Sequence, residues 1–218
     1  MNQNQLMGQS LKQIWLSQLL SIIGTVCSVV MMISAVGMAM AAVTGGYGAA
    51  AGLLGLTGVL VVAVLVLSIL ALVFYFMGLS KGSKVHPSFK NAIIMAIVSY
   101  VLNIISGYVS GVFGNLLGII GVAASFLAVN YVCTAASEML QGVGDQITAD
   151  RGHNVRKLYM VCAIVNIVCL LLTMLPFIGI AVVGSVLLLV GAIAQLVGLF
   201  MYMSFLKAGS NSLSAAAV

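Results

Sequence analysis

Six stretches of the chain are almost unbroken in apolar residues, and the polar segments between them alternate in kind. The stretches cover residues 14–40, 53–77, 92–112, 116–137, 158–175 and 178–206. A helix rises about 1.5 Å per residue, so about 20 apolar residues cross a hydrocarbon core about 30 Å thick. The pattern therefore predicts six membrane-spanning helices. The fifth is the shortest and is expected to stop at Pro176, because proline cannot continue the hydrogen-bond ladder and disfavours helix just before it. Lys12, the apolar run and Ala39-Met40-Ala41 loosely resemble a cleavable signal. The run far exceeds the apolar core of about 7–15 residues that such signals use, so it reads as a retained helix.

The connectors divide into two classes. Those after the first, third and fifth stretches carry no charge: Thr44-Gly45-Gly46-Tyr47-Gly48, then Gly114-Asn115, then Pro176-Phe177. Every Lys, Arg, Asp and Glu lies in the termini or in the connectors 81–90 and 138–157. The eight basic residues are Lys12, Lys81, Lys84, Lys90, Arg151, Arg156, Lys157 and Lys207. All fall on one side of a chain that crosses six times, and basic loops stay in the cytoplasm. Both termini are accordingly expected in the cytoplasm, with the protein integral to a bacterial inner (cytoplasmic) membrane. Trp15, Tyr75, Phe89, Tyr159 and Tyr202 fall near the same interface, where amphipathic rings accumulate.

Composition agrees with this reading and removes others. Apolar residues make up 63% of the 218 and charged residues 5%, with a mean hydropathy of +1.27, too little charge to coat a soluble fold. The fold class is all-α, a polytopic membrane protein of three tandem helical hairpins forming a single transmembrane domain over 1–218. The net charge of +5 comes from loop residues that set topology, so no nucleic-acid partner is expected. Cys27, Cys133, Cys162 and Cys169 sit in apolar stretches without CxxC or metal-ligand spacing, which reads as packing.

Aligning Lys12, Lys90 and Lys157, each just before the first helix of a hairpin, brings LLSIIGTVCS, IVSYVLNIIS and IVNIVCLLLT into register. Ser21, Ser99 and Asn166 share one column, and Ser28, Ser106 and Thr173 share another seven residues on, two turns along the same face. Thr25 and Asn103 add polar groups between the columns. Superposing the second helices aligns Gly78, Ala135 and Ser204, and Ser68, Ser125 and Ala194, the small-residue pattern of close helix contact. The chain is thus expected to repeat over approximately 12–84, 85–145 and 151–211 and to form a pseudo-threefold ring.

Three tandem two-helix units are also the plan of the mitochondrial carriers, whose odd helices end in a proline followed by an acidic and then a basic residue. Here Pro176 is followed by Phe177, Ile178 and Gly179, and the first and third helices have no proline, so no site carries over.

Candidate chemistry is sparse. Uncharged polar residues within the spans are Gln18, Asn103, Asn130, Asn166 and Gln195, and such groups either line a pathway or hydrogen-bond between helices. The candidates are Ser21, Ser28, Ser99, Asn103, Ser106, Asn166 and Thr173. Glu138, Asp145 and Asp150 are the carboxylates, spread along a polar linker, with His86 and His153 in loops. Gly142-Val143-Gly144 lacks the lysine and hydroxyl residue of a phosphate loop. No catalytic residue, cofactor or metal is expected. The expected role is a non-catalytic accessory, assembly or interaction subunit, partnered by the lipid bilayer and by other membrane proteins or itself. The alternative is a small channel or transporter for a neutral or apolar solute, using a polar ring of first helices.

Overall fold

The structure is a computed structural model that describes the backbone of residues 2–43, 47–109, 111–173 and 178–216, and side chains over 2–31, 33–34, 57–109, 111–172 and 194–216. Among the described residues all regular structure is helical: α1 (Gln3–Val43), α2 (Tyr47–Gly82), α3 (Ser88–Tyr108), α4 (Val112–Gly142), α5 (Gln146–Thr173) and α6 (Ile178–Ala215). Among the described residues, five stretches are long and apolar enough to cross a membrane: Gln3–Met31, Thr57–Gly82, Ser88–Tyr108, Val112–Gly142 and Gln146–Leu172.

The helices overrun the apolar stretches that announce them. Helix α1 starts about three turns before residue 14, and α6 continues two turns beyond residue 206. The segment 138–157, expected as a polar linker, is the last turn of α4, a three-residue turn and the first three turns of α5. His153 therefore stands on a helix rather than in a loop. Helix α3 ends at Tyr108 and α4 begins at Val112, so Gly114 and Asn115, expected as the connector, lie within α4. Gly111, between the two helices, has φ +81°, and a Cβ on Gly114 would run into the Val109 carbonyl, which is why glycine occupies both positions. Of the uncharged connector expected at 44–48, residues 44–46 lie outside the described residues while Tyr47 and Gly48 begin α2, and the stop at Pro176 lies outside them too.

The chain divides into two compact units. One comprises Gln13–Met77, the greater part of α1 and α2. Its buried side chains include Ile14, Ser17, Ser34, Ala71 and Tyr75, and the Tyr75 and Phe76 rings meet edge to face at 5.9 Å.

The other unit comprises Met1–Lys12 and Gly78–Val218. Here α4 is central, touching α3, α5 and α6, while α5 also packs on α6. The reason is visible in its sequence: Gly114, Gly121, Ala128 and Ala135 recur every seven residues and all are buried, a small-residue seam that lets neighbouring helices come close. At the charged end of this unit the packing becomes denser and the side chains larger. Met7, Leu11, Leu79, Phe89, Leu140, Phe205, Leu206 and Leu213 are fully or almost fully buried there. Full burial of one such side chain contributes about 1.5–3 kcal/mol, so this end is the main apolar core of the unit. Hydroxyls lock it: Ser10 Oγ donates to the Gly78 carbonyl at 2.7 Å and Ser210 Oγ to the Gly8 carbonyl at 2.8 Å.

Candidate functional site

Two cavities lie among the helices of the larger unit. The first, about 320 Å³ and open on one side, is lined by residues of α3, α4, α5 and α6 within the apolar stretches. Its polar lining is Asn103, Ser125, Tyr159 and Gln195, with Phe126 and Leu199 among the apolar walls. The second, about 440 Å³, opens between the charged ends of α4 and α5, where Ser137, Glu138, Gln141, Asp150, His153 and Arg156 line it. Volumes of about 300–1,000 Å³ suit small-molecule sites.

The α3–α4 crossing shapes the first cavity. Ser99 Oγ donates to the Gly121 carbonyl at 3.0 Å, and Asn103 Nδ2 donates back to Ser99 Oγ at 3.3 Å. Glycine at 121 leaves room for this arrangement, since a Cβ would stand 2.9 Å from Asn103 Oδ1 and the amide would have to shift. Ser99 and Asn103, both singled out by sequence, are thus brought together, and Asn103 reaches the cavity wall.

The remaining candidates make local bonds. Ser28 donates to its own helix at Gly24, Ser106 to Asn103, and Asn166 Nδ2 to the Cys162 carbonyl. Ser21 is exposed, its carbonyl accepting from Thr25 Oγ1. Ser21 and Ser28 belong to the smaller unit. The Thr173 side chain lies outside the described residues. Asn130, further along α4, has a buried Oδ1 that no described group reaches. Ser125, Tyr159 and Gln195, which line the same cavity as Asn103, are not among the candidate site residues that the sequence singles out. Residues that line one cavity from helices far apart in sequence give no local signal beyond the isolated amide of Gln195.

The second cavity has structured carboxylates, which corrects the picture of acidic residues scattered on a linker. His86 Nε2 meets Glu138 Oε2 at 2.9 Å, while His86 Nδ1 accepts from the Ser88 backbone N–H at 3.3 Å. With Nδ1 accepting, the proton sits on Nε2 and is donated to Glu138. Asp145 caps α5: its Oδ1 accepts from the Thr148 backbone N–H at 3.1 Å, the third residue of the helix. Hydrogen bonds from the Ser212 side chain and then from Thr148 hold its carboxyl below the usual carboxylate range. Ser137 Oγ donates to the Ala149 carbonyl at 3.1 Å, and a Cβ on Gly152 would meet that same Ser137 hydroxyl and the Phe205 ring. These small residues are what bring the two charged helix ends together. Among the described residues, no group of three or more His, Cys, Asp and Glu is placed to hold a metal ion.

No family model, curated protein or solved structure matches this chain.

Proposed function

We propose that this protein is a non-catalytic accessory, assembly or interaction component of a bacterial inner membrane. Its three tandem hairpins are arranged about a pseudo-threefold axis, with the charged end and both termini in the cytoplasm. One observation carries this reading. The densest packing is at the charged end, whereas within the most apolar window of each of the five spans only 11–22% is buried. The spans therefore leave most of their apolar surface to lipid or to helices of other chains, and little of the protein extends beyond the membrane to do chemistry. Cross-linking in native membranes followed by purification in mild detergent tests it. Co-purifying membrane subunits or self-association is the expected outcome; a stable monomer whose deletion leaves every membrane complex intact would sink the idea.

A second reading is favoured by the cavity around Asn103. Its polar lining is two amides, a hydroxyl and a phenol without a formal charge, which suits a neutral solute or amphiphile held by a few hydrogen bonds. Under this reading Asn103→Ala combined with Gln195→Ala abolishes binding or flux of that solute in reconstituted vesicles, and unchanged flux removes it.

A further inference from the structure

A groove of mixed charge runs beside the buried contact between α4 and α5. Facing stripes of an antiparallel helix pair are ordinarily apolar at spacings of three and four. The buried positions of this pair keep to that rule, with Cys133, Ala136 and Leu140 on α4 and Ala149, Gly152 and Val155 on α5; beside them Ser137 and the exposed Glu138 and Gln141 on α4 and the exposed His153 and Arg156 on α5 line one open cavity of about 440 Å³. Asp150 adds a second carboxylate. Glu138 is engaged by His86, but neither Asp150 nor Arg156 is in an ion pair among the described residues, although both line the cavity. A cation and an anion that share a cleft without neutralising each other are matched by a ligand bearing both signs.

The height of the cleft narrows the ligand. Counting about 20 residues for the hydrocarbon core from Val112, the start of α4, places residues 133–141 at and beyond the core boundary. Counting back from Thr173 along α5 brings Arg156 and His153 to the same level. Lipid headgroups occupy this layer.

We propose that the α4–α5 cleft binds an aminophosphate group, a phosphate ester with a primary ammonium a few bonds away, presented by the headgroup of an ethanolamine phospholipid. The Arg156 guanidinium offers a planar fork to the phosphate, with His153 beside it. Asp150 accepts from the ammonium, assisted by Gln141. This inference rests on the helices spanning a bilayer and is independent of the accessory role.

Native mass spectrometry of the full chain in detergent, titrated with phosphatidylethanolamine, phosphatidylglycerol and phosphatidylcholine, tests it. Ethanolamine lipid is expected to bind at least about fivefold more tightly than either of the others, the net effect of one hydrogen bond from the ammonium. Phosphatidylcholine has the same net charge without N–H donors, so the comparison isolates the ammonium contact. Arg156→Ala and Asp150→Asn each remove the preference. Competition by free O-phosphoethanolamine assigns the site to a soluble aminophosphate; retained lipid binding in its presence assigns it to the bilayer. Equal binding of the three lipids, preference for phosphatidylglycerol, or a preference that survives both substitutions overturns the proposal. Should Arg156→Ala not fold, Arg156→Lys keeps the charge but loses the fork, and wild-type selectivity in that variant counts equally against the site.

Discussion

The Ser210 hydroxyl donates to the Gly8 carbonyl at 2.8 Å across 202 positions of sequence, joining the first turns of α1 to the last turns of α6. Gly8 is buried under this contact. A Cβ there would stand 2.6 Å from Ser214 Oγ and 3.1 Å from the Ser210 carbonyl. Substituting Gly8→Val is expected to destabilise the protein by about 1–3 kcal/mol, the usual cost of overpacking. Ser210→Ala, which removes one hydroxyl and leaves the carbonyl buried, is expected to cost about 1 kcal/mol. Thermal denaturation in detergent followed by circular dichroism reads both, and unchanged midpoints would show that the two helix ends are not packed.

Acidification should act through Asp145. Its folded-state carboxyl titrates below the unfolded value because Ser212 and Thr148 donate to it. A group depressed in this way contributes stability above its unfolded pKa and loses it as pH falls through the folded one. Asp145→Ala should therefore lower the melting temperature at pH 7, and the gap to wild type should close as pH is taken below the usual carboxylate range. A gap independent of pH would contradict the cap. Because the side chain is largely open to solvent, the effect is a modest one.

At the α3–α4 crossing, Gly121→Leu should separate the helices, since its Cβ already meets Asn103 Oδ1 at 2.9 Å. Gly118, three residues earlier with nothing within 4 Å of a Cβ, should accept alanine without loss. Ser99→Ala is expected to cost about 0.6–2 kcal/mol, the range for interhelical hydrogen bonds in membranes. Denaturation in mixed detergent micelles distinguishes the three, and equal stability of Gly121→Leu and Gly118→Ala would mean that the crossing is placed wrongly.

The His86–Glu138 contact should matter much less. The Glu138 side chain is 57% exposed, and exposed pairs contribute about 0–1 kcal/mol. Glu138→Gln, whose amide oxygen can still accept from His86, should shift the midpoint only slightly. A loss above about 2 kcal/mol would instead indicate a buried network.

Cysteine accessibility tests the membrane orientation. Lys84→Cys and Arg151→Cys should be labelled by a membrane-impermeant maleimide only after inner-membrane vesicles are inverted or cells opened. Labelling of either from the periplasm would overturn the assignment of the charged end.

The number of helices was legible because hydrocarbon demands long apolar runs, and the five spans follow them. Their ends were not, because the same hydropathy rule is silent once a helix leaves the membrane. Signals did exist: Met7, Leu11 and Ile14 at spacings of four and three mark a buried face in the otherwise polar start of α1, and Leu206 and Leu213 do so for α6. In 138–157 the glycines at 142 and 144 and the many polar residues masked two helix ends held by small contacts such as Gly152 on Phe205. The polar candidates were only partly legible for another reason. Serine and threonine in a helix can satisfy themselves on the preceding turn, as Ser28 and Thr25 do, so a recurring hydroxyl does not reveal whether it reaches a neighbour as Ser99 does.

The bond between Gly8 and Ser210 also sets a schedule. A ribosome must deliver Leu213 before the buried residues near the start of the chain, Met7 and Leu11 among them, gain their last neighbours. Until then newly inserted helices wait in the bilayer with this layer open, exposed to proteases and to other nascent chains. Shortening the chain by even its final two turns would leave that state permanent.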